Sequence, residues 1–512
     1  MSQQTEEIHG HYVDGEWRGD DADGIFVSED PATRETVGRF ASGDAGDVDA
    51  AVEAAAEAYE DWRALSYVDR AEHLWDVYHE LRDRTDELGE VVSRECGKEI
   101  KEGRADVVEA AHMVEWAAGN ARHPHGDVVP SEIADKDSFM RRKPRGVTAC
   151  ITPWNFPVAI PFWHMAVALV EGNPVVWKPS SYTPMCGQLV AEMLDDAGVP
   201  DGVFNLVQGS GSDVGAPLVD HPDVATVLFT GSAAVGESIA RTAAEHSDKR
   251  AACEMGGKNA VVITAHADID LAVHCAVMSS FKTTGQRCVS SERLIVHDAV
   301  YDAFVERFVD VAERVAVGDP LDEDTFMGPL AHEDQVAKFR QYNDIAREEG
   351  ADVLVDRTDL PPEEIPDGAD DGHWAGPFVY AIEHDEELRC IHEEVFGPHV
   401  AIMRYDGDVD EAIRLHNDTD YGLTGAIVSE DYREINAFRD RAEVGLAYGN
   451  LPCIGAEVQL PFGGVGKSGN GYPSAREVIE AVTDRTAWTV NNGEDVALAQ
   501  GLSAEITTRD DD

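Results

Sequence analysis

GVTACITPW (146–154), NPVVWKPS (173–180), GVFNLVQGSG (202–211) and VATVLFTGS (224–232) are four short β-branched runs, each breaking into Gly, Pro or Ser. Helical stretches such as MCGQLVAEMLDDAG (185–198) lie between them. Strand alternating with helix predicts a parallel α/β sheet. Working outward, a second α/β series opens near 258 with NAVVITA, RLIVHD, VAIMRY and GAIVSE, and runs to about 450. Upstream, residues 48–120 are rich in Ala and Glu. Their apolar positions recur at three- and four-residue intervals (Val52, Ala55, Ala56, Tyr59), which predicts long helices. Two α/β lobes with a site between them is the simplest architecture. The acidic stretch 356–372 and the tail 496–512 read as exposed and mobile.

A length of 512 residues fits two or three domains, and 43% hydrophobic with 27% charged residues is globular composition. The formal charge of -58 is not ordinary: 99 acidic residues face 41 basic ones, spread along the whole chain. Nucleic acids and anionic membranes need a basic face, so both are excluded as partners. So large a charge destabilises a fold through self-repulsion unless salt screens it, which points to a salt-rich, halophilic cytoplasm. The eight cysteines (96, 150, 186, 253, 275, 288, 390, 453) stand alone, without CxxC pairs or zinc-like spacing. This predicts a reducing compartment and no metal site. No secretory leader is legible at the N-terminus, and no run of about 18 apolar residues exists to span a membrane.

Several motifs carry chemistry. Cys288 lies in FKTTGQRCVSSER (281–293), where Gly285 lets the backbone approach a ligand. Arg287 is a neighbouring cation expected to favour thiolate. Glu254, in CEMGGKN (253–259), precedes two glycines, a poor context for a solvated face. It suits a general base. Asn155, in TPWNFP (152–157), is an amide in a rigid loop and can donate to an oxyanion. FTGSAAVGESIA (229–240) follows a strand and opens a helix, putting Gly231 and Ser232 where backbone amides bind phosphate. Lys178 follows another strand and can hold a ribose or phosphate. Each has a plainer alternative: inert core thiol, surface carboxylate, turn cap, Gly-rich turn.

Together these stretches resemble the NAD(P)+-dependent aldehyde dehydrogenase superfamily over roughly residues 10–495. PWNFP, GNPVVWKPS, FTGS, EMGGKN, GQRC, EEVFGP (393–398) and PFGG-GKSG-G (461–471) match in order. The resemblance implies a two-lobed fold: a Rossmann-like cofactor domain (1–121 and 145–256), an α/β catalytic domain (257–456) and bridging segments for oligomerisation (122–144 and 472–495). It implies that Cys288 attacks the aldehyde, that its own N–H and Asn155 hold the oxyanion, and that Glu254 activates water. It further implies that Trp154, Lys178 and Ser232 contact the cofactor's ribose and pyrophosphate, and that Glu394 and Phe396 hold the nicotinamide ribose. Similar proteins are homodimers or homotetramers.

Two departures matter. Many NAD-specific relatives carry Glu where this chain has Ser181, so NADP+ is expected to be accepted and slightly favoured over NAD+. Thr283 stands where many relatives have Asn, which resembles branches that act on semialdehydes, such as archaeal members oxidising α-ketoglutarate semialdehyde. Arg287, and more weakly Arg104, are candidates to pair with an acid group on such a substrate, or else make structural ion pairs. A CoA-acylating relative typically lacks the glutamate base. A binding protein on the same fold would not need all three catalytic groups, and a cysteine hydrolase would need a histidine partner.

Overall fold

The computed structural model describes residues 7–19, 24–123, 125–496 and 498–502. Most of the expected tail beyond residue 496 lies outside the described residues. The four opening runs form adjacent parallel strands, and Arg250–Met255 joins them as a fifth: Arg250–Met255, Val224–Gly231, Val147–Ile151, Val175–Lys178 and Phe204–Leu206, in that spatial order. Every residue of Val147–Ile151 and Val175–Lys178 is buried, because helices cover both faces of the sheet. Helix Ala159–Glu171 is buried on nearly every side, as its apolar sequence demands. The sheet grows to eight strands through edges the sequence did not announce. His11–Val13 and Glu16–Arg18 add antiparallel at one side, and Gly469–Asn470 pairs antiparallel beside Arg250–Met255 at the other.

The second lobe is a seven-stranded sheet, ordered Asp352–Asp356, Phe378–Ala381, His399–Tyr405, Ser291–His297, Asn259–Ile263, Thr424–Val428 and Leu446–Gly449. All its pairs are parallel except that of Asp352–Asp356. The helical region resolves into Ala45–Ala64, Tyr67–Asp83, Thr85–Cys96 and Ile100–Asn120, and Asp44 opens the first with a capping box. A separate three-stranded sheet joins Val128–Pro130, Lys136–Pro144 and Thr483–Asn491, the last two paired antiparallel over their full nine-residue lengths.

The acidic stretch 356–372 departs from expectation. Leu360, Ala369 and Trp374 pack with Ala32 in a small apolar cluster, and Arg357 Nη1 donates to the Val315 carbonyl at 2.9 Å. Its carboxylates face outward while its few apolar side chains tie the loop down. No helix among the described residues is long and apolar enough to cross a membrane.

Candidate active site

Cys288 lies between a strained turn and strand Ser291–His297. Thr283 and Thr284 have φ of 52° and 56°, and Gly285 follows at 69°. A left-handed non-glycine residue costs about 1–2 kcal/mol and persists only where its surroundings impose it. Here Thr284 Oγ1 donates to the Gly328 carbonyl at 2.9 Å and Thr283 Oγ1 to Glu102 at 2.6 Å. A Cβ at position 285 would stand 2.3 Å from the Gly397 carbonyl oxygen, so only glycine fits. On the far side, Asn259 Nδ2 donates to the carbonyls of Cys288 and Ser290 at 2.7 and 2.8 Å. The backbone of the thiol is thus held from both directions.

Two cavities meet at Cys288 and share Thr230 as their other common wall. The larger, about 300 Å³, is lined by Trp154, Asn155, Gly231, Ser232, Glu394 and Phe396. The smaller, about 60 Å³, is mostly apolar (Phe156, Ile160, Trp163, Val289, Phe462) and contains Glu254, Glu109 and Arg287. Asn155 is buried, and one of its N–H groups donates to the Gln286 carbonyl at 3.0 Å, which fixes the amide beside the Cys288 loop. Glu254, next to last in strand Arg250–Met255, is 1% exposed, and neither carboxylate oxygen has a hydrogen-bond partner among the described residues. Burial pushes its carboxyl well above the usual carboxylate range, and the nearby Gly464 amide offsets only part of that.

The expected effect of Arg287 on the thiol is corrected by its surroundings. Burial pushes Cys288 well up, Glu254 and Glu394 add to this, and Arg287 counters only weakly. Arg287 Nη2 is hydrogen-bonded to Glu102, its Nε donates to Thr283 Oγ1 at 2.8 Å, and its guanidinium sits 5.1 Å from the Phe156 ring centroid. Its charge is therefore largely matched by a carboxylate before any ligand arrives. Arg104 is also accounted for elsewhere. It pairs with Asp86 at 2.8 Å and with Glu323, and lines neither cavity at Cys288.

The larger cavity has the chemistry to hold a dinucleotide. Ser232 opens helix Ala233–Ala243 but makes no side-chain cap bond, so its hydroxyl is not used by the helix. Trp154 stands edge-on to Phe396 with centroids 5.7 Å apart, and Phe396 itself has φ of 64°. Glu394 accepts from the Gly257 amide at 2.9 Å, and burial pushes it up to about 7. A Cβ at Gly256 would lie 2.1 Å from that carboxylate. Lys178 is buried, donates to the Pro179 carbonyl at 2.8 Å, and is lowered to about 8 by burial. Ser181 is not brought to the Cys288 cavities. It opens on an adjacent one of about 260 Å³ whose charged walls are Glu29, Glu95, Glu333, Asp334 and a single arginine, Arg34.

Sequence reasoning missed three groups. Thr230 borders both cavities, and its Oγ1 lies 2.9 Å from Nε2 of the fully buried His164. Glu109, on helix Ile100–Asn120, is pushed up to about 7, mainly by burial. Glu109 and His164 have no motif around them. Thr230 stood inside FTGS, and its pairing across the sheet with Glu254 follows from strand register alone.

The model of the aldehyde dehydrogenase family matches residues 17–487. The chain is 35% identical to the alpha-ketoglutaric semialdehyde dehydrogenase of Bacillus subtilis, covering 94% of this chain and 98% of that protein. It is 37% identical to the alpha-ketoglutarate semialdehyde dehydrogenase of Haloferax volcanii, over 90% and 93%. Among solved structures, PnpE in complex with nicotinamide adenine dinucleotide superposes with a TM-score of 0.90 at 33% identity, covering 96% and 99% of the two chains. Betaine aldehyde dehydrogenase from Staphylococcus aureus in complex with NAD+ does so at 0.90 and 30%, covering 97% of each. With Cys288, Glu254 and Asn155 set around one junction of cavities, this chain belongs to the aldehyde dehydrogenase family and is an NAD(P)-dependent aldehyde oxidoreductase.

Proposed function

We propose that Cys288 is the nucleophile, Glu254 the general base and Asn155 an oxyanion donor in oxidising an acid-bearing semialdehyde to its carboxylate. The Cys288 thiol loses its proton to solvent as the sulfur bonds to the aldehyde carbon, and the charge that develops on the carbonyl oxygen is held by the Asn155 amide and the Cys288 backbone N–H. Trp154, Lys178, Ser232, Glu394 and Phe396 would hold NAD(P)+, which when bound would supply the acceptor for the substrate's hydride. Glu254 then takes a proton from the water that attacks the thioester on Cys288, which releases the acid and restores the thiol. The observation that supports this best is the placing of Cys288 at the junction of the two cavities, with the unpartnered Glu254 on the smaller side. A glutamate with no other bond to make favours hydrolysis over transfer to CoA.

The test is pre-steady-state. Glu254→Gln should give one equivalent of NAD(P)H per site in a burst, followed by slow turnover, and Cys288→Ser should give none. A normal steady state from Cys288→Ser would overturn the reading.

Arg287 is the cation of the smaller cavity, and both curated relatives quoted above are named for α-ketoglutarate semialdehyde; these support an acid-bearing substrate. A second reading rests on the apolar lining and on Glu109, which favour a neutral aldehyde. Comparing kcat/KM for α-ketoglutarate semialdehyde and for a neutral aldehyde of similar length separates them.

For the cofactor, Ser181 supports use of NADP+ as well as NAD+, slightly favouring NADP+. For the assembly, exposed Val128, Val129, Trp488 and Val490 on the three-stranded sheet support a homodimer or homotetramer joined there. The acidic surface supports a salt-rich cytoplasm as the protein's home, with activity and refolding that rise in molar KCl.

A further inference from the structure

Three donor side chains from separate segments converge on the second lobe, apart from both cavities at Cys288. His384 lies in the loop after strand Phe378–Ala381, His392 ends the helical turn Arg389–His392, and Asp418 caps the C-terminus of helix Val409–Asn417. One ligand atom from each lies within 4.8 Å of the other two, the only such group of three among the described residues. His384 Nε2 is 2.6 Å from Asp418 Oδ2, and the two imidazole centroids are 6.0 Å apart at 72°.

The surroundings of His392 match what a metal-binding histidine requires. His392 Nε2 lies 3.2 Å from the Asp385 carbonyl oxygen. A carbonyl can only accept, so that nitrogen carries the proton and Nδ1 keeps its lone pair. Such a bond from the second ring nitrogen is the usual way a ligating imidazole is oriented. The main chain at Asp418 is fixed by its carbonyl, which accepts from Arg293 at 3.4 Å. The nine-residue helix that Asp418 caps also points its carbonyl dipoles toward the cluster, and these favour a cation. All three residues are half-buried, which holds the donors in place and leaves a path for an ion.

We propose that His384, His392 and Asp418 bind a divalent transition ion of the zinc class, through Nε2, Nδ1 and a carboxylate oxygen, with water completing its coordination. Two imidazoles and one carboxylate suit zinc, cobalt or nickel, whereas calcium and magnesium prefer all-oxygen sets. Bonds of about 2 Å in a tetrahedral array set ligand atoms about 3.3 Å apart. The contact of 2.6 Å therefore opens slightly and the wider separations close, which side-chain rotation achieves. Residue spacing hid the site, because its members stand on three different elements and resemble no zinc motif. The ion would cross-link the loop, the turn that leads into Glu394, and the helix end, so its binding adds to folding stability.

The experiment uses the full chain carrying Cys288→Ser, so that the thiol cannot compete, stripped with a chelator and kept in molar KCl. Titration with Co2+ followed by its d–d absorption, and with Zn2+ by calorimetry, should show one ion per chain and a rise in Tm. His384→Ala with His392→Ala should weaken binding by roughly tenfold or more and abolish the Tm rise. Asp418→Asn, which keeps the shape of the helix cap, serves as the second variant should the double change disturb folding, and should weaken binding as well. Failure of the parent to bind Co2+ or Zn2+ would overturn the proposal. So would folded variants that bind as the parent does.

Discussion

Glu254 and Glu102 are buried carboxylates close to the Cys288 loop, and their surroundings drive them in opposite directions. Among the described residues Glu254 has no side-chain hydrogen-bond partner, and burial raises its proton affinity well above the ordinary range. Glu102 feels the same kind of burial, yet Arg287, Thr283, Lys98 and Lys282 outweigh it and hold its carboxyl below the usual value. One is a carboxylate kept ready for a proton, the other a counter-ion whose proton affinity has been spent on cations. Two residues of the same type are thus driven apart, and what separates them is the company of cations and hydrogen-bond donors rather than depth.

Removing the solitary carboxylate should have the largest effect. Glu254→Gln is expected to lower steady-state kcat by about 10²–10⁴-fold. It should also flatten the acid limb of the pH profile. A base with raised proton affinity works only when ionised, so the wild-type hydrolytic rate climbs as pH rises toward that affinity. An acid limb unchanged in the variant would assign the proton transfer to another group. Asn155→Ala comes next, at about 10²–10³-fold in kcat. Its amide also holds the Gln286 carbonyl, a bond that Asn155→Asp breaks as well, so Asn155→Asp tests the loss of donors without the loss of volume. It keeps the shape, removes both donors, and should lose as much.

The two regions also differ in how far they could be read from sequence. The parallel strands were legible because strands buried on both faces are written as uninterrupted β-branched runs, as in Val175–Lys178. The short edges His11–Val13 and Gly469–Asn470 carry no such run, and each joins the sheet by pairing with a neighbour far away in the chain. At the site, Cys288, Glu254 and Asn155 were marked by Gly and Pro placed for backbone reasons. The company of Arg287 was not legible, since Glu102 lies 185 residues earlier on an ordinary acidic helix. A cation read as an activator of the thiol thereby became part of the wall. The acidic stretch 356–372 failed for a related reason: composition reports its outward charges, whereas its anchoring depends on Leu360 and Ala369 finding Ala32 and Trp374.

The supporting carboxylate should give a smaller kinetic effect and a larger structural one. Glu102→Gln keeps the shape and one oxygen to accept from Arg287 but removes the charge and the second acceptor. Its cost in unfolding free energy should therefore fall below the roughly 3–5 kcal/mol of outright removal of a buried ion-pair partner. Since the folded protein lowers this carboxyl's proton affinity, its stabilisation is present above the unfolded value. It is lost as pH falls through the folded one. Wild type and variant should then converge in Tm in acid and diverge toward neutrality. Freed from Glu102, Arg287 can turn its full charge on a substrate acid group, so kcat/KM for an acid-bearing aldehyde should rise relative to a neutral one. No change in that ratio would assign Arg287 to structure alone.

The smallest effect is expected farthest from both glutamates. Ser181→Glu places a carboxylate on a cavity that already contains Glu29, Glu95, Glu333 and Asp334 against the single Arg34. If the cofactor's adenosine end lies beside Ser181, the new charge should repel a 2′-phosphate and leave the dihydroxy ribose of NAD+ a partner to accept its hydrogen bonds. The ratio of kcat/KM for NADP+ over NAD+ should fall by about tenfold, a difference of about 1.4 kcal/mol. Arg34 sharpens the test, because Glu29 holds it at 2.8 Å and only Glu29→Gln releases it toward a phosphate. A ratio that moves with neither substitution would detach this cavity from cofactor choice and leave the discrimination to the surroundings of Lys178.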